Sequence, residues 1–207
     1  MARDLESIVK RSRREGYALH PKAHKALVKR AGPPGQAASD GGRRRPKASQ
    51  YALQLREKQK VKRLYGLLER QFAKMMNEAT RTRGQSGATL LQFLERRLDN
   101  VIYRAGFALS RRAARQLVTH GHFTLNGRRT DIPSIRVVIG DVIELREHGK
   151  STEYFKQIEL TSPAPAAIPA WLKVDRKKFQ VKIIGLPTRD DAEPDIKEQL
   201  IVEYYSR

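Results

Sequence analysis

The chain contains no cysteine, which excludes disulfides and any zinc site built on thiolates. It has no unbroken run of about 18 apolar residues, so no segment reads as a membrane-spanning helix and no membrane partner is expected. Residues 1–14 alternate charged and isolated apolar side chains and lack the hydrophobic core of a signal peptide, which makes the cytoplasm the expected location. Catalytic signatures are missing as well. There is no Gly-x-Ser-x-Gly, no His-Glu-x-x-His and no Cys/His nucleophile pair. Gly149-Lys150-Ser151 resembles the end of a phosphate-binding loop, but Glu144 stands where the upstream glycine is required. His20 and His24 have a metal-compatible spacing without a carboxylate or thiolate beside them. No enzyme activity, metal or cofactor is therefore expected.

Acids are the scarce charge. Asp and Glu total 22 against 42 Lys and Arg, a net +20 in 207 residues. The excess is confined: residues 1–150 carry 33 basic and 13 acidic side chains, whereas 151–207 carry 9 of each. A field of this kind attracts polyanions. With 39% hydrophobic residues the chain can still build one or two packed domains.

The basic residues are patterned. In residues 90–105, Leu91, Leu94, Leu98, Val101, Ile102 and Ala105 recur every three or four positions, as on a buried helical stripe. Arg96, Arg97, Asn100 and Arg104 fall on the opposite side, with Glu95 and Asp99 off that arc. A second helix, capped by Ser110 and ending near Gly121, sets Ala113, Ala114, Leu117 and Val118 inward and Arg111, Arg112, Arg115 and Thr119 outward. Guanidinium forks held on rigid helices suit phosphate oxygens, so this pair reads as a docking surface for RNA.

Around that pair the chain divides into three. Residues 1–48 are basic and rich in breakers, with little apolar surface to offset ordering entropy, and little fixed structure is expected there without a polyanion. From Ser49, an N-cap residue, a helical pattern through Val61, Leu64, Leu68, Phe72 and Met76 runs to Gly84, in one piece or broken at Gly66. Asn126-Gly127 marks a hairpin, and 137–139 and 142–145 read as strands around Gly140-Asp141. Beyond a proline-rich stretch at 161–170, the segments 171–172, 179–184 and 200–205 read as short strands. This neutral tail is expected to pack on the 49–89 helices. Phe123, Trp171 and Phe179 are assigned to the core.

Several strings carry a resemblance. They are Tyr51-Ala52-Leu53-Gln54-Leu55-Arg56-Glu57-Lys58-Gln59-Lys60, Arg97-Leu98-Asp99-Asn100-Val101, Ala114-Arg115-Gln116-Leu117-Val118, Asn126-Gly127-Arg128 and Glu198-Gln199-Leu200-Ile201-Val202-Glu203. With them the chain resembles, from end to end, the bacterial small-subunit ribosomal protein four family. The resemblance implies an α+β fold: a helical domain from 49–94 completed by the tail 159–207, and an inserted small RNA-binding module at 95–158 with two helices and a short antiparallel sheet. It also implies a structural constituent of the small ribosomal subunit in the cytoplasm. Such a protein is a primary binder of small-subunit ribosomal RNA at a multi-helix junction, starting assembly of the subunit body and contributing to translational accuracy. Many relatives bind zinc through four N-terminal cysteines, a site this chain cannot form. The family also tends to have Ser-Asp before the first-helix tyrosine, where this chain has Ser49-Gln50.

The RNA-binding candidates are Arg43, Arg44, Arg45, Lys47, Arg56, Lys58, Gln59, Lys60, Lys62, Arg63, Arg70, Arg96, Arg97, Asn100, Arg104, Arg111, Arg112, Arg115, Gln116, Arg128 and Arg129. Arg44 and Lys47 match family positions beside the channel through which messenger RNA enters. Ile201, Glu203, Tyr204 and Tyr205 match a contact with the neighbouring small-subunit ribosomal protein five. Two other readings compete. One is an RNA-modifying enzyme, because the same module is appended to some pseudouridine synthases and tRNA synthetases; the other is a general nucleic-acid packaging protein.

Overall fold

The computed structural model describes residues 6–30, 32–35, 48–165 and 167–206. The candidates Arg43, Arg44, Arg45 and Lys47 lie outside the described residues. In chain order the helices before the first strand are α1 (Ile8–Glu15), α2 (Pro21–Lys29), α3 (Gln50–Leu64), α4 (Glu69–Arg81), α5 (Ser86–Glu95), α6 (Leu98–Arg104) and α7 (Arg111–Thr119). Strands β1 (Phe123–Leu125), β2 (Arg128–Thr130) and β3 (Val142–Leu145) follow, then one-turn helices α8 (Glu147–Lys150), α9 (Glu153–Lys156) and α10 (Ile158–Thr161). Strands β4 (Leu172–Asp175) and β5 (Gln180–Ile183) precede the last helix, α11 (Glu198–Tyr205). The class is α+β. The chain forms two compact units, one from residues up to 87 with those from 195 on, the other from 88–194.

In the helical unit Ser49 caps α3 as expected, its Oγ accepting from the Ala52 amide at 3.3 Å. The helical pattern breaks at Gly66, whose φ of 67° glycine adopts without steric cost. Val61, Leu64, Phe72, Met76 and Ala79 form the buried stripe of α3 and α4. The predicted strand at 200–205 is instead the helix α11. Ile201 and Tyr205 lie one turn apart; Ile201 is buried and the Tyr205 ring sits 6.2 Å from that of Phe72, contacts that need helical rather than alternating spacing. Gln54 Nε2 donates to Glu203 at 2.7 Å, and the Lys197 amide donates to Glu57 at 2.9 Å.

The described part of residues 1–48 holds two helices where little structure was expected. They are closed by polar chemistry. Ser12 Oγ accepts from the Leu19 amide at 3.3 Å, and His20 caps α2 through Nδ1. Arg13 donates to the carbonyls of Arg30, Gly32 and Pro33 at 3.2, 3.0 and 3.3 Å. The Glu15 carboxylate is buried under Arg56 and Arg63.

The second unit is built on a five-stranded antiparallel sheet ordered β2-β1-β3-β5-β4. Asn126 and Gly127, with φ of 51° and 77°, make the predicted hairpin turn. One face buries Phe123, Ile143, Leu145, Val181, Ile183 and Leu172 against α6 and α7, with Trp171 in the same core and Phe179 partly buried against it.

The unit departs from expectation in three places. Residues 137–139 are not a strand; β3 pairs with β1 and β5 instead, and only Arg136 forms a bridge, to Arg97. The helix predicted across 90–105 is broken at Arg96–Arg97. There the Leu98 and Asp99 amides donate to the carbonyls of Ile135 and Pro133, and the Val137 amide to that of Arg96. A distant segment thus satisfies the backbone groups that a continuous helix would have paired internally. Finally, the tail is shared out. Residues from 195 pack on α3, whereas β4 and β5 complete the sheet, because their alternating apolar residues find an open edge at β3.

Candidate nucleic-acid interface

The arginines of α6 and α7 are not rows pointing at solvent. Arg97 is 3% exposed and donates to both Asp99 carboxylate oxygens, at 3.0 and 2.7 Å. Asp99 also accepts from Arg115 at 3.2 Å. Arg104 forms a two-pronged pair with buried Glu95, at 3.0 and 2.9 Å, and Asn100, 2% exposed, donates to the same carboxylate at 2.7 Å. Arg111 joins the network through Asn100 Oδ1 at 2.8 Å and Glu193 at 3.0 Å, and lies over the Tyr103 ring. The two acids placed off the basic arc by sequence, Glu95 and Asp99, are therefore its anchors. Arg97 and Asn100 are buried in this network, and Arg104, Arg111 and Arg115 are partly buried in it. Arg96 turns back to the Val137 carbonyl at 2.8 Å; burial, then the neighbouring Arg136, lower its pKa from the usual arginine value.

What this brace presents is a smaller set. On α7, Arg112 and Gln116 are exposed, one turn apart. At the hairpin Arg128 and Arg129 are exposed, and the Arg129 guanidinium covers Gly121, where an added Cβ would come within 2.9 Å of Nε. Sequence reasoning missed Lys173 and Lys182, which stand directly opposite each other on β4 and β5 and are both exposed. Like charges so placed repel, a signal that only the strand register reveals.

In the helical unit Arg56 and Arg70 are exposed. Lys58 is not: it is buried, donates to Glu69 at 2.8 Å and lies 4.4 Å from the centre of the Tyr204 ring. Lys62 donates to the same carboxylate at 2.8 Å. Lys60 is held by Glu57 and the Asp195 carbonyl, and Arg63 by Glu15. Gln59 is partly buried. Burial alone would raise the Glu69 pKa, but hydrogen bonds from Lys58, Lys62 and Tyr205 outweigh it and hold the carboxyl at about 2. Exposed Lys10, Arg14, Lys22, Lys25, Lys29 and Arg30 add a basic surface on α1 and α2. These were hidden in the sequence because no structure was expected there. Of the protein-contact candidates, Ile201 is wholly buried; Tyr204 stacks near Tyr51, Tyr205 donates to Glu69, and Glu203 is exposed.

Among the described residues no cluster of His, Asp or Glu could hold a metal ion, and no helix is long and apolar enough to cross a membrane. Chemically the site is a set of braced guanidiniums suited to oxyanions. Residues 3–95 match the family described as ribosomal protein S4/S9 N-terminal domain, and residues 96–143 match the S4 domain. The chain is 50% identical over 213 residues to small ribosomal subunit protein uS4 of Herpetosiphon aurantiacus, with all of both chains covered. It is 48% identical to the proteins of that name in Roseiflexus castenholzii and Clostridioides difficile, again over the full length of each. With both family domains matched and its whole length shared, the chain belongs to the family of small ribosomal subunit protein uS4.

Proposed function

We propose that this chain is a structural constituent of the small ribosomal subunit that binds small-subunit ribosomal RNA through backbone phosphates, at a junction of several RNA helices. The family is structural and non-enzymatic. The observation that carries the reading is the braced arginine frame of α6 and α7. Three carboxylates, Glu95, Asp99 and Glu193, fix four guanidiniums and leave Arg112, Gln116, Arg128 and Arg129 at its surface. Phosphates bind such a surface with release of counterions and little reading of base edges.

Further roles belong to the same proposal. By holding an RNA junction in its folded arrangement the protein nucleates assembly of the subunit body. Arg44 and Lys47 flank the channel through which messenger RNA enters. The neighbouring small-subunit ribosomal protein five meets Glu203 and the edge of Tyr204, a contact that influences translational accuracy. Ile201, being buried, supports that surface from behind rather than touching a partner. The unit 88–194 carries the small RNA-binding module at 95–158, its sheet extended by β4 and β5.

Filter binding to small-subunit ribosomal RNA over a salt series, with footprinting of the complex, tests this. Expected are a steep fall of affinity with salt and protection clustered at one junction. Equal affinity for duplex DNA in competition would replace the reading with general packaging.

A further inference from the structure

Three histidines and two arginines converge on the turn that joins α7 to β1. His120 follows α7 and His122 precedes β1, their rings 6.1 Å apart. Arg146, just after β3, donates its amide to the His122 carbonyl at 2.9 Å and its Nη1 to the Gly121 carbonyl at 3.1 Å. Arg129 of β2 lies over Gly121. His148, on α8, comes near enough to act electrostatically on His122. The floor is Phe155 of α9, whose ring meets that of His122 edge-on at 6.0 Å.

The groups facing His122 are thus cationic or neutral. Glu147, which precedes His148, is held by Lys150 at 2.6 Å, and Glu144, opposite Thr124 in the sheet, accepts from Gln180 at 2.6 Å. Burial first, and then His120, His148 and Arg146, lower the His122 pKa from its usual value. Such crowding of like charge is relieved by an anion and by nothing that the described neighbours of His122 supply. The geometry also excludes a metal reading, since arginines, which cannot ligate, occupy two sides and no carboxylate completes a coordination set.

We propose that the turn at 120–122 is a phosphodiester-binding site for the RNA backbone, in which His122 takes up a proton as the phosphate seats, with His120 and His148 beside it. Arg129 and Arg146 supply permanent charge, and His122 makes the contact strengthen as pH falls. The assignment rests on the RNA-binding reading above and adds to it a named site and a proton linkage. No covalent step is involved: protons come from solvent, and the RNA leaves unchanged.

The test is an NMR titration of the full chain labelled in its imidazole rings, alone, with small-subunit ribosomal RNA and with inorganic phosphate. RNA is expected to raise the His122 pKa, each unit corresponding to about tenfold in affinity between the two protonation states. RNA affinity of the native chain should therefore increase from pH 7.5 to 5.5, and most of that increase should vanish in His122→Gln. His120→Gln with His148→Gln, both exposed positions, should keep the fold intact and leave the pH-dependent increase in place, since His122 remains. RNA that binds without moving the His122 pKa overturns this site and leaves the general reading standing. A chain that fails to bind the RNA at any pH overturns both. A rise with inorganic phosphate as large as with RNA would assign the turn to a free anion and overturn the backbone assignment.

Discussion

Arg104 sets Nε and Nη2 on the two carboxylate oxygens of Glu95, at 3.0 and 2.9 Å, and the Glu95 side chain has no exposure to solvent. The pair spans the break between α5 and α6, with Asn100 donating to the same carboxylate at 2.7 Å. Stripping a buried charge of its counter-ion costs about 3–5 kcal/mol, and here Arg104 retains Glu193 at 3.6 Å when Glu95 is removed. Glu95→Gln is accordingly expected to destabilise the 88–194 unit in urea unfolding by less than that, about 1–3 kcal/mol. A loss below about 1 kcal/mol would mean that the brace contributes nothing to the fold, since that is the range of exposed pairs.

The same network separates arginines that build the surface from arginines that use it. Arg97→Ala, Arg104→Ala and Arg115→Ala together strand Glu95 and Asp99, so RNA binding should be lost along with cooperative melting. Arg112→Ala, Arg128→Ala and Arg129→Ala together should melt as the native chain does. RNA affinity should still fall, by about 1.5–3 kcal/mol for each charge-assisted contact removed, and the salt slope should flatten by about 2–3. A folded second triple variant that binds normally at moderate salt would remove the α7 and hairpin surface from the interface.

The reach of the sequence is clearest at these residues. Ser49, Ser110 and Asn126-Gly127 were legible because a cap or a tight turn is decided by two or three adjacent residues; Ser110 accepts from the Ala113 amide at 3.2 Å as its position predicts. The heptad-like spacing of Leu98, Val101, Ile102 and Ala105 likewise identified the buried side of α6. The break at Arg97 was illegible because its cause is the segment 133–137, far along the chain. Helical periodicity gave the direction of Arg104 and Arg111 only as an angle, and their partner Glu193 lies more than 80 positions away from Arg111. In α11, β-branched and aromatic residues suggested a strand, and packing on α3 and α4 overrode that preference.

Glu69 makes the acid stability of the helical unit predictable. Its carboxyl is held at about 2, below the ordinary 4.5, by donors from Lys58, Lys62 and Tyr205. Below pH 4.5 an unfolded chain takes up the proton and the folded one resists it, so stability is fully present above 4.5 and is lost as pH falls toward 2. Glu69→Gln should lower stability at neutral pH and flatten the decline between pH 4.5 and 2 in thermal melts. An unchanged acid limb would show that the carboxylate is not coupled to folding.

Arg13 offers the sharpest test of how the N-terminal helices close without cysteine. One guanidinium bonds the carbonyls of Arg30, Gly32 and Pro33, tying the start of the chain to the segment after α2. A lysine has the same charge but cannot present a planar fork to several acceptors at once. Arg13→Lys is therefore expected to speed hydrogen exchange in α1 and α2 while leaving α6, α7 and the sheet protected. Because α1 and α2 carry exposed Lys10, Arg14, Lys22 and Lys25, loosening them should also weaken RNA binding without changing its salt slope, since no charge is removed. If the lysine variant exchanges as slowly as the native chain, the closure depends on Ser12 and buried Glu15 instead, and Glu15→Gln should then produce the loosening that Arg13→Lys did not.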